Sequence, residues 1–361
     1  MRLRHFEELG PVCPRCRTGG LGDHPLLLAV VERRSGDDII EGILHCTNAQ
    51  CMQEFPVIDG IPIIVPDVAQ YINDFLWHIT ARDDLSAALE TLLGDAAGPS
   101  SAFDSTRFHI SSYAHDHWGE FDPEEASTAI KPGAVARCLN AGLDLLTAPL
   151  GDGPALDIGC SVGRSTFELA GRVGGLVVGM DLNFSMLRLA RHILTDGEIT
   201  YARRRIGLVY DRRAFDVPNA GAERIDFWVC NAMALPFPAH RFGALSAMNV
   251  LDCVPDPRAL LAAFGTVLRP GGVGVLATPY DWSNQATHPT GWIGGHSQRG
   301  ISRGAAEPQL RALLRQQGGT GLRLVAEVAD FPWHVRMHDR STVSYSTHLV
   351  AVRAAGDDEP A

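Results

Sequence analysis

The apolar positions change their spacing along the chain, and the changes mark out its elements. In residues 1–66 they alternate with polar ones or cluster in short β-branched runs, first Leu26 to Val31 and then Phe55-Pro-Val-Ile-Asp-Gly-Ile-Pro-Ile-Ile-Val65. This predicts short strands, with Asp59-Gly60 as a hairpin turn. From Asp67 to Leu93 apolar residues recur at helical spacing, whereas Gly94 to Ser105, rich in Gly, Ala, Ser and Asp, reads as a linker or mobile loop. Beyond residue 106 helix-like and strand-like runs alternate. Helices are expected at Ala134 to Leu146, Ser165 to Arg172, Ser185 to Leu194 and Pro257 to Leu268. Strands are expected at Ala155 to Ile158, Gly175 to Met180, Ile225 to Val229, Ala244 to Asn249 and Gly274 to Ala277. Such alternation predicts an α/β domain with a mostly parallel sheet covered on both faces, spanning 106–353, after a separate β-rich unit at 1–66 and a helix with linker at 67–105. The tail, 354–361, is expected to be disordered.

Composition changes this picture little. The chain is 45% apolar and 20% charged, as in ordinary globular proteins. Its 42 Asp and Glu against 31 Lys and Arg give a net charge of -11, which argues against nucleic acid as the main partner. A basic cluster, Arg203, Arg204, Arg205, Arg212 and Arg213, reads as a solvated helix or loop face. No apolar run approaches the ~20 residues that cross a bilayer, and the first residues lack a signal-peptide pattern, so a cytoplasmic location is expected, without a membrane partner. There the eight cysteines stay reduced, as metal ligands or buried small residues.

The candidate chemistry begins at Ala155-Leu-Asp-Ile-Gly-Cys-Ser-Val-Gly-Arg164. A strand ending in Asp157, then Gly159, Cys160 and Gly163, then a helix, lets backbone approach a ligand while a helix N-terminus faces it. At the end of the next strand, Val177-Val-Gly-Met-Asp181 puts a carboxylate, with Leu182 beside it, about 20 residues on, where a nucleoside's ribose hydroxyls would lie. A helix N-cap is the other role the position of Asp181 allows, and the partner motif favours the cofactor role. Together with Cys230-Asn-Ala-Met-Ala-Leu-Pro-Phe237, Ala247-Met-Asn-Val-Leu-Asp252 and Leu268-Arg-Pro-Gly-Gly-Val273, these turns resemble, in order, the motifs of class I S-adenosylmethionine-dependent methyltransferases. The resemblance implies a Rossmann-like, seven-stranded α/β fold and a cofactor site of Asp157, Gly159, Cys160, Gly163, Asp181, Leu182, Asn231, Ala232 and Asn249. Asn231 replaces the usual Asp of the adenine motif.

A narrower likeness is to the methyltransferase domain of ovothiol biosynthesis, which methylates an imidazole nitrogen of a mercaptohistidine. It is carried by Tyr113-Ala-His-Asp-His-Trp-Gly119, Asp157 to Phe167, Asn249-Val-Leu-Asp252, Thr278-Pro-Tyr-Asp-Trp282, Gly291-Trp-Ile-Gly-Gly295 and Asp330-Phe-Pro-Trp-His-Val-Arg336. In this sequence a cysteine-containing unit stands ahead of the domain where that family carries a sulfoxide synthase domain. The likeness implies the reaction class and the location of the site, not the substrate; the leading expectation is N- or S-methylation of a small molecule, an amino-acid or thiol-imidazole natural product. Tyr113 and His117 would belong to a lid, with a histidine as general base; Asn249 and Asp252 would make polar contacts; Tyr280 and Trp282 would wall the acceptor.

Cys13-Pro-Arg-Cys16 and Cys46-Thr-Asn-Ala-Gln-Cys51 supply four thiols in two turns, the donor set of a closed structural zinc site. With Phe55-Pro-Val-Ile-Asp-Gly-Ile-Pro62 they resemble the small zinc-ribbon proteins that bind and activate methyltransferases acting on tRNA and translation factors. Two other functions therefore stand beside the small-molecule enzyme: an RNA or protein methyltransferase with a fused zinc activator, and a non-catalytic cofactor-binding scaffold. Residue patterns leave the oligomeric state open, a homodimer included.

Overall fold

The computed structural model describes residues 1–125, 130–147, 150, 153–283, 285–315 and 319–356. The chain begins with helices α1 (Leu3–Leu9) and α2 (Pro14–Thr18) and four antiparallel strands, β1 (Leu26–Ser35), β2 (Asp38–Cys46), β3 (Glu54–Ile58) and β4 (Ile61–Ile64). Asp59 and Gly60 both have positive φ, 52° and 76°, the paired left-handed residues of the two-residue hairpin expected there.

Next come α3 (Val68–Thr80), α4 (Ala87–Ala97) and α5 (Ala102–Trp118). The predicted single helix and following linker are thus three helices. Their starts are capped by Asp67, Ser86 and Ser101, each accepting a backbone N–H from the first turn. Gly94, a residue that suggested a loop, lies inside α4 because the Arg107 guanidinium occupies the space a Cβ would need.

The rest is an α/β unit: α6 (Ala134–Asp144), β5 (Ala155–Ile158), α7 (Arg164–Arg172), β6 (Val177–Asp181), α8 (Phe184–Asp196), β7 (Glu198–Ile206), β8 (Val209–Asp216), β9 (Ile225–Cys230), β10 (Phe242–Met248), α9 (Pro257–Val267), β11 (Leu268–Thr278), α10 (Glu307–Leu313), β12 (Leu322–His338) and β13 (Ser341–Ala354). Strands β9, β6, β5, β10 and β11 are parallel neighbours in that order, and β13 and β12 close the far edge antiparallel. These seven strands form the Rossmann-like sheet that the motifs predicted. Of the predicted tail, residues 357–361 lie outside the described residues.

The first 66 residues do not hang beside this sheet; they lengthen it. Ile63 and Ile64 of β4 pair in parallel with Val229 and Cys230 of β9, giving one sheet of 11 strands. That explains why Ile61 to Ile64 are all buried, since a strand inside a doubly covered sheet loses its polar face. One face packs Ile63, Ala155, Phe227 and the inner sides of α6, α7 and α8. The other packs Ile64, Leu156, Trp228 and α9 with Phe6, Leu9, Leu44 and Phe55 of the N-terminal unit, so the two share a core. Buried Asp226 on β9 adds a polar tie, accepting the Arg2 backbone N–H at 2.8 Å and lying 3.5 Å from His5.

Strands β7 and β8 make a separate hairpin carrying the basic cluster, which is therefore on strands rather than a helix or loop. Its arginines are largely spoken for. Buried Arg203 forks onto both oxygens of Glu125 at 2.7 Å and reaches Asp339 at 2.9 Å, while Arg213 meets Glu124 at 2.6 Å. Cations so neutralised offer little to phosphates. Among the described residues no helix is long and apolar enough to cross a membrane.

Candidate active site

The motif residues converge at the carboxyl ends of the parallel strands, the edge where open α/β sheets bind ligands. Three non-glycine residues there take positive φ: Ser161 (51°) after β5, Asn249 (56°) after β10 and Tyr280 (56°) after β11. Backbone strain of this kind gathers at functional sites.

Asp157, at the end of β5, is 1% exposed and accepts three hydroxyl hydrogen bonds, from Ser165 (2.6 Å), Thr166 (2.7 Å) and Ser246 (2.7 Å). It locks the first turn of α7 to β5 and β10, and burial pushes its carboxyl up to about 6. Gly159 and Gly163 have φ of 69° and 86°, and a Cβ would strike Val250 at the first and Phe227 at the second. Both glycines are thus demanded by the protein's own packing. Cys160 is buried, and its backbone N–H bonds Met180 O.

Asp181 accepts the backbone N–H groups of Ser161 (2.9 Å) and Asn183 (2.8 Å), tying the two turns together; burial raises its pKa. It is not the helix cap, since Asn183 caps α8 through Met186 N–H. Leu182 is 37% exposed, and its carbonyl accepts the Tyr71 hydroxyl of α3 at 2.8 Å. In the third turn Asn231 Oδ1 accepts Met233 N–H at 2.9 Å, leaving the half-buried Ala232 between them at the edge.

On the other half of the edge, Asn249 has a buried Oδ1 without a partner. Asp252, 2% exposed, accepts Asp281 N–H at 2.8 Å through Oδ2 and leaves Oδ1 unpartnered. Burial pushes its carboxyl up to about 6, with the charge of Asp281 adding to the rise. A carboxyl raised above its unfolded value of 3.8 opposes folding once ionised, fully above pH 6 and not at all below 3.8. Replacing Asp252 with Asn, which keeps the amide bond, should therefore raise the melting temperature near pH 8 by about 2–4 °C per kcal/mol recovered and leave it unchanged near pH 4. Equal shifts at both pH values in thermal scans would refute this.

Tyr280 and Trp282 lie with ring centroids 6.2 Å apart, and Trp282 stacks on Trp292 at 6.0 Å. Tyr280, Trp282 and Trp292 thus form an aromatic row. Helix α5 closes the edge. Its Trp118 Nε1 donates to Val162 O at 2.9 Å, and His117 Nδ1 accepts Arg164 N–H at 3.3 Å, so the helix is pinned to the first turn. Burial, with the Arg164 charge, pushes His117 down to about 3, a neutral and weak base at physiological pH. Tyr113, one turn earlier, is 42% exposed and within electrostatic reach of Asp181, Cys253 and Tyr345, over the strand ends.

Sequence reading missed Tyr71, Tyr345 and His348. Tyr345 donates to Asp281 Oδ2 at 3.2 Å, and His348 Nδ1 lies 2.7 Å from the Tyr280 hydroxyl. They sit on α3 and on β13, where nothing local distinguishes them from packing residues. A cavity of about 490 Å3 lies apart from this edge, between α3, α5, α8 and β7, lined by Trp77, Phe103, Ile110 and Leu189. It contains none of the motif residues.

The four thiols also converge. Sγ atoms of Cys13 and Cys51 are 3.9 Å apart, those of Cys16 and Cys46 3.7 Å, and all four lie within 4.8 Å of one another. A tetrahedral ion with ~2.3 Å metal–sulfur bonds would need edges of about 3.8 Å, so the cluster suits one. Asn48 donates its backbone N–H to Cys46 Sγ and its side-chain amide to Cys16 Sγ, the outer-shell contacts that orient thiolate ligands.

Residues 156–276 match the family described as "Methyltransferase domain". The O-methyltransferase cnsE of Penicillium expansum is 29% identical over 48% of this chain and 54% of its own. A ubiquinone biosynthesis O-methyltransferase of Xanthomonas axonopodis is 28% identical over 48% of this chain and 63% of its own. The chain thus spans little more than half the length of these relatives. Among solved structures, the YcgJ protein of Bacillus subtilis superposes with a TM-score of 0.40 at 13% identity, over 62% of this chain and 99% of that one. On the family match, residues 156–276 form a methyltransferase domain of the class I, S-adenosylmethionine-dependent kind.

Proposed function

We propose that the whole chain is a methyltransferase acting on a small molecule, with a structural zinc in its four-cysteine cluster. One observation carries the reading: among the described residues two buried acceptor oxygens, Asn249 Oδ1 and Asp252 Oδ1, stand without hydrogen-bond partners in the turn after β10, next to the first motif turn. Backbone amides donate to Asp181 and Asp252, and among the described residues neither carboxylate forms an ion pair. Such an edge fits a ligand bearing donors and positive charge, which S-adenosylmethionine is. That cofactor supplies an activated methyl on a sulfonium. The chain's tasks are to align the acceptor, exclude water and accept a proton. In this reading Asp181 holds the ribose, Asn231 and Ala232 the adenine, and Gly159, Cys160 and Gly163 shape the turn. Tyr113 and His117 belong to the lid, while Asn249, Asp252, Tyr280 and Trp282 line the acceptor side.

The relatives are named as O-methyltransferases, whereas the likeness to ovothiol enzymes favours an N- or S-methylated thiol-imidazole or amino acid. Neutralised arginines on the β7–β8 hairpin speak against RNA. The deciding experiment incubates the protein and methyl-labelled cofactor with a small-molecule extract and, separately, with total RNA and protein. Label in the extract alone supports the proposal, and the labelled product identifies the atom. Cofactor binding without transfer to any fraction would leave the scaffold reading. Asp181→Ala should weaken cofactor binding by about 1.5 to 3 kcal/mol, the range for hydrogen bonds to a charged group. Unchanged calorimetric affinity would remove its ribose role.

A further inference from the structure

We infer that Tyr280, His348 and Glu327 form a proton relay that takes the acceptor's proton during methyl transfer, an inference that rests on the methyltransferase reading. The Tyr280 hydroxyl lies 2.7 Å from His348 Nδ1, and His348 Nε2 lies 3.0 Å from Glu327 Oε2. Arg311 of α10 holds Glu327 in turn, its Nε at 2.8 and 2.9 Å from the two carboxylate oxygens. The three members come from three elements: the turn after β11, strand β13 and strand β12. Register brings them together, since His348 pairs with Thr278 and Glu327 with Val350.

A hydroxyl, an imidazole and a carboxylate in line, with the imidazole 1% exposed, is the arrangement that orients a histidine base. Glu327 can only accept while ionised, so His348 Nε2 carries the proton and Nδ1 is left to accept from Tyr280. Tyr280 is the member at the site. Its ring leans on Trp282 in the aromatic row, and its backbone is held in the left-handed region just past the strand end. His117, the base expected from the sequence, has its Nδ1 occupied by Arg164 N–H, so the task falls to another group.

The step balances without a further reactant. The acceptor's proton passes to the Tyr280 oxygen as the Tyr280 proton passes to His348 Nδ1. The acceptor's lone pair bonds the methyl carbon, and the carbon–sulfur pair stays on sulfur. The positive charge lost by the sulfonium reappears as imidazolium beside Glu327. Charged groups facing Tyr280 are Glu307 and Arg311 from α10, Glu327 from β12 and Asp252 from the turn after β10.

The test follows single-turnover label transfer into a small-molecule extract across pH, with cofactor affinity measured in parallel, for wild type, Tyr280→Phe and Glu327→Gln. Tyr280→Phe is expected to slow transfer about 100-fold at neutral pH and less under alkaline conditions, where water can take the proton, at unchanged cofactor affinity. Glu327→Gln, on the outer side of the relay, should slow transfer about 10-fold and move the acid limb to lower pH, because the imidazolium loses its counter-charge. If both variants keep rates within about threefold of wild type with an unmoved limb, the triad is packing and the relay is wrong. Should Tyr280→Phe lose cofactor binding or fail to fold, the limb of Glu327→Gln decides alone. A wild type that labels no fraction removes the methyltransferase reading itself, and the relay with it.

Discussion

Chelating the metal from the four-cysteine cluster, or replacing Cys46 with Ser, is expected to unfold residues 11–53 and to cost the protein much of its cofactor affinity. The first effect follows from the ligands: the metal would join the two cysteine turns, and structural zinc binding, worth roughly 10–16 kcal/mol in small modules, becomes folding free energy. The second follows from contacts that sequence reading did not anticipate. Arg17, beside the first cysteine pair, donates from Nη1 to Leu235 O at 2.6 Å and to Phe237 O at 2.7 Å, and Val12 N–H bonds Pro236 O at 2.9 Å. These bonds hold the chain just past Asn231 and Ala232, the proposed adenine contacts. Strand β4 should survive, being built into the main sheet through Ile63 and Ile64. Metal analysis should find about one zinc per chain, and chelation should lower calorimetric cofactor affinity with only a partial loss of secondary structure. Protein prepared without chelator yet free of zinc would remove the metal assignment. Affinity unchanged after chelation would remove the coupling.

Asp157→Ala is expected to cost about 3 kcal/mol of stability and to abolish detectable cofactor binding. One buried hydroxyl left without its partner costs about 1–3 kcal/mol, and the lost carboxylate leaves a cavity. Ser165 and Thr166 can turn to helix carbonyls, but Ser246 on β10 is 0% exposed and has nowhere to turn. The loss should depend on pH. Because burial lifts Asp157 to about 6, above its unfolded 3.8, its contribution is greatest below 3.8 and shrinks as pH rises through 6. The difference between wild type and variant is therefore larger near pH 5 than near pH 8. Denaturant unfolding at the two pH values measures it, and a difference that grows with pH would contradict this account.

Much of the site is written into local sequence because local rules dictate it. A strand that ends on Asp157 or Asp181 and turns through glycine can be read from spacing, since backbone conformation at Gly159 and Gly163 depends mainly on nearest neighbours. The same holds for Asp59-Gly60 and for the cysteine pairs, whose members are three and five positions apart. What the spacing could not show depends on partners far along the chain. The joining of β4 to β9 decides that the N-terminal unit is part of the sheet, and it links residues 63 and 229. Helix α4 runs through a glycine because an arginine 13 residues on fills the gap. The arginines of β7 and β8 look free along the chain, yet Glu125 and Asp339 neutralise Arg203 from both sides of it in sequence. Tyr280 reads as an aromatic wall until the antiparallel register of β12 and β13 sets His348 and Glu327 behind it. Burial and hydrogen bonding between distant segments are properties of the folded chain, so they assign the polar partners, and local patterns assign the turns.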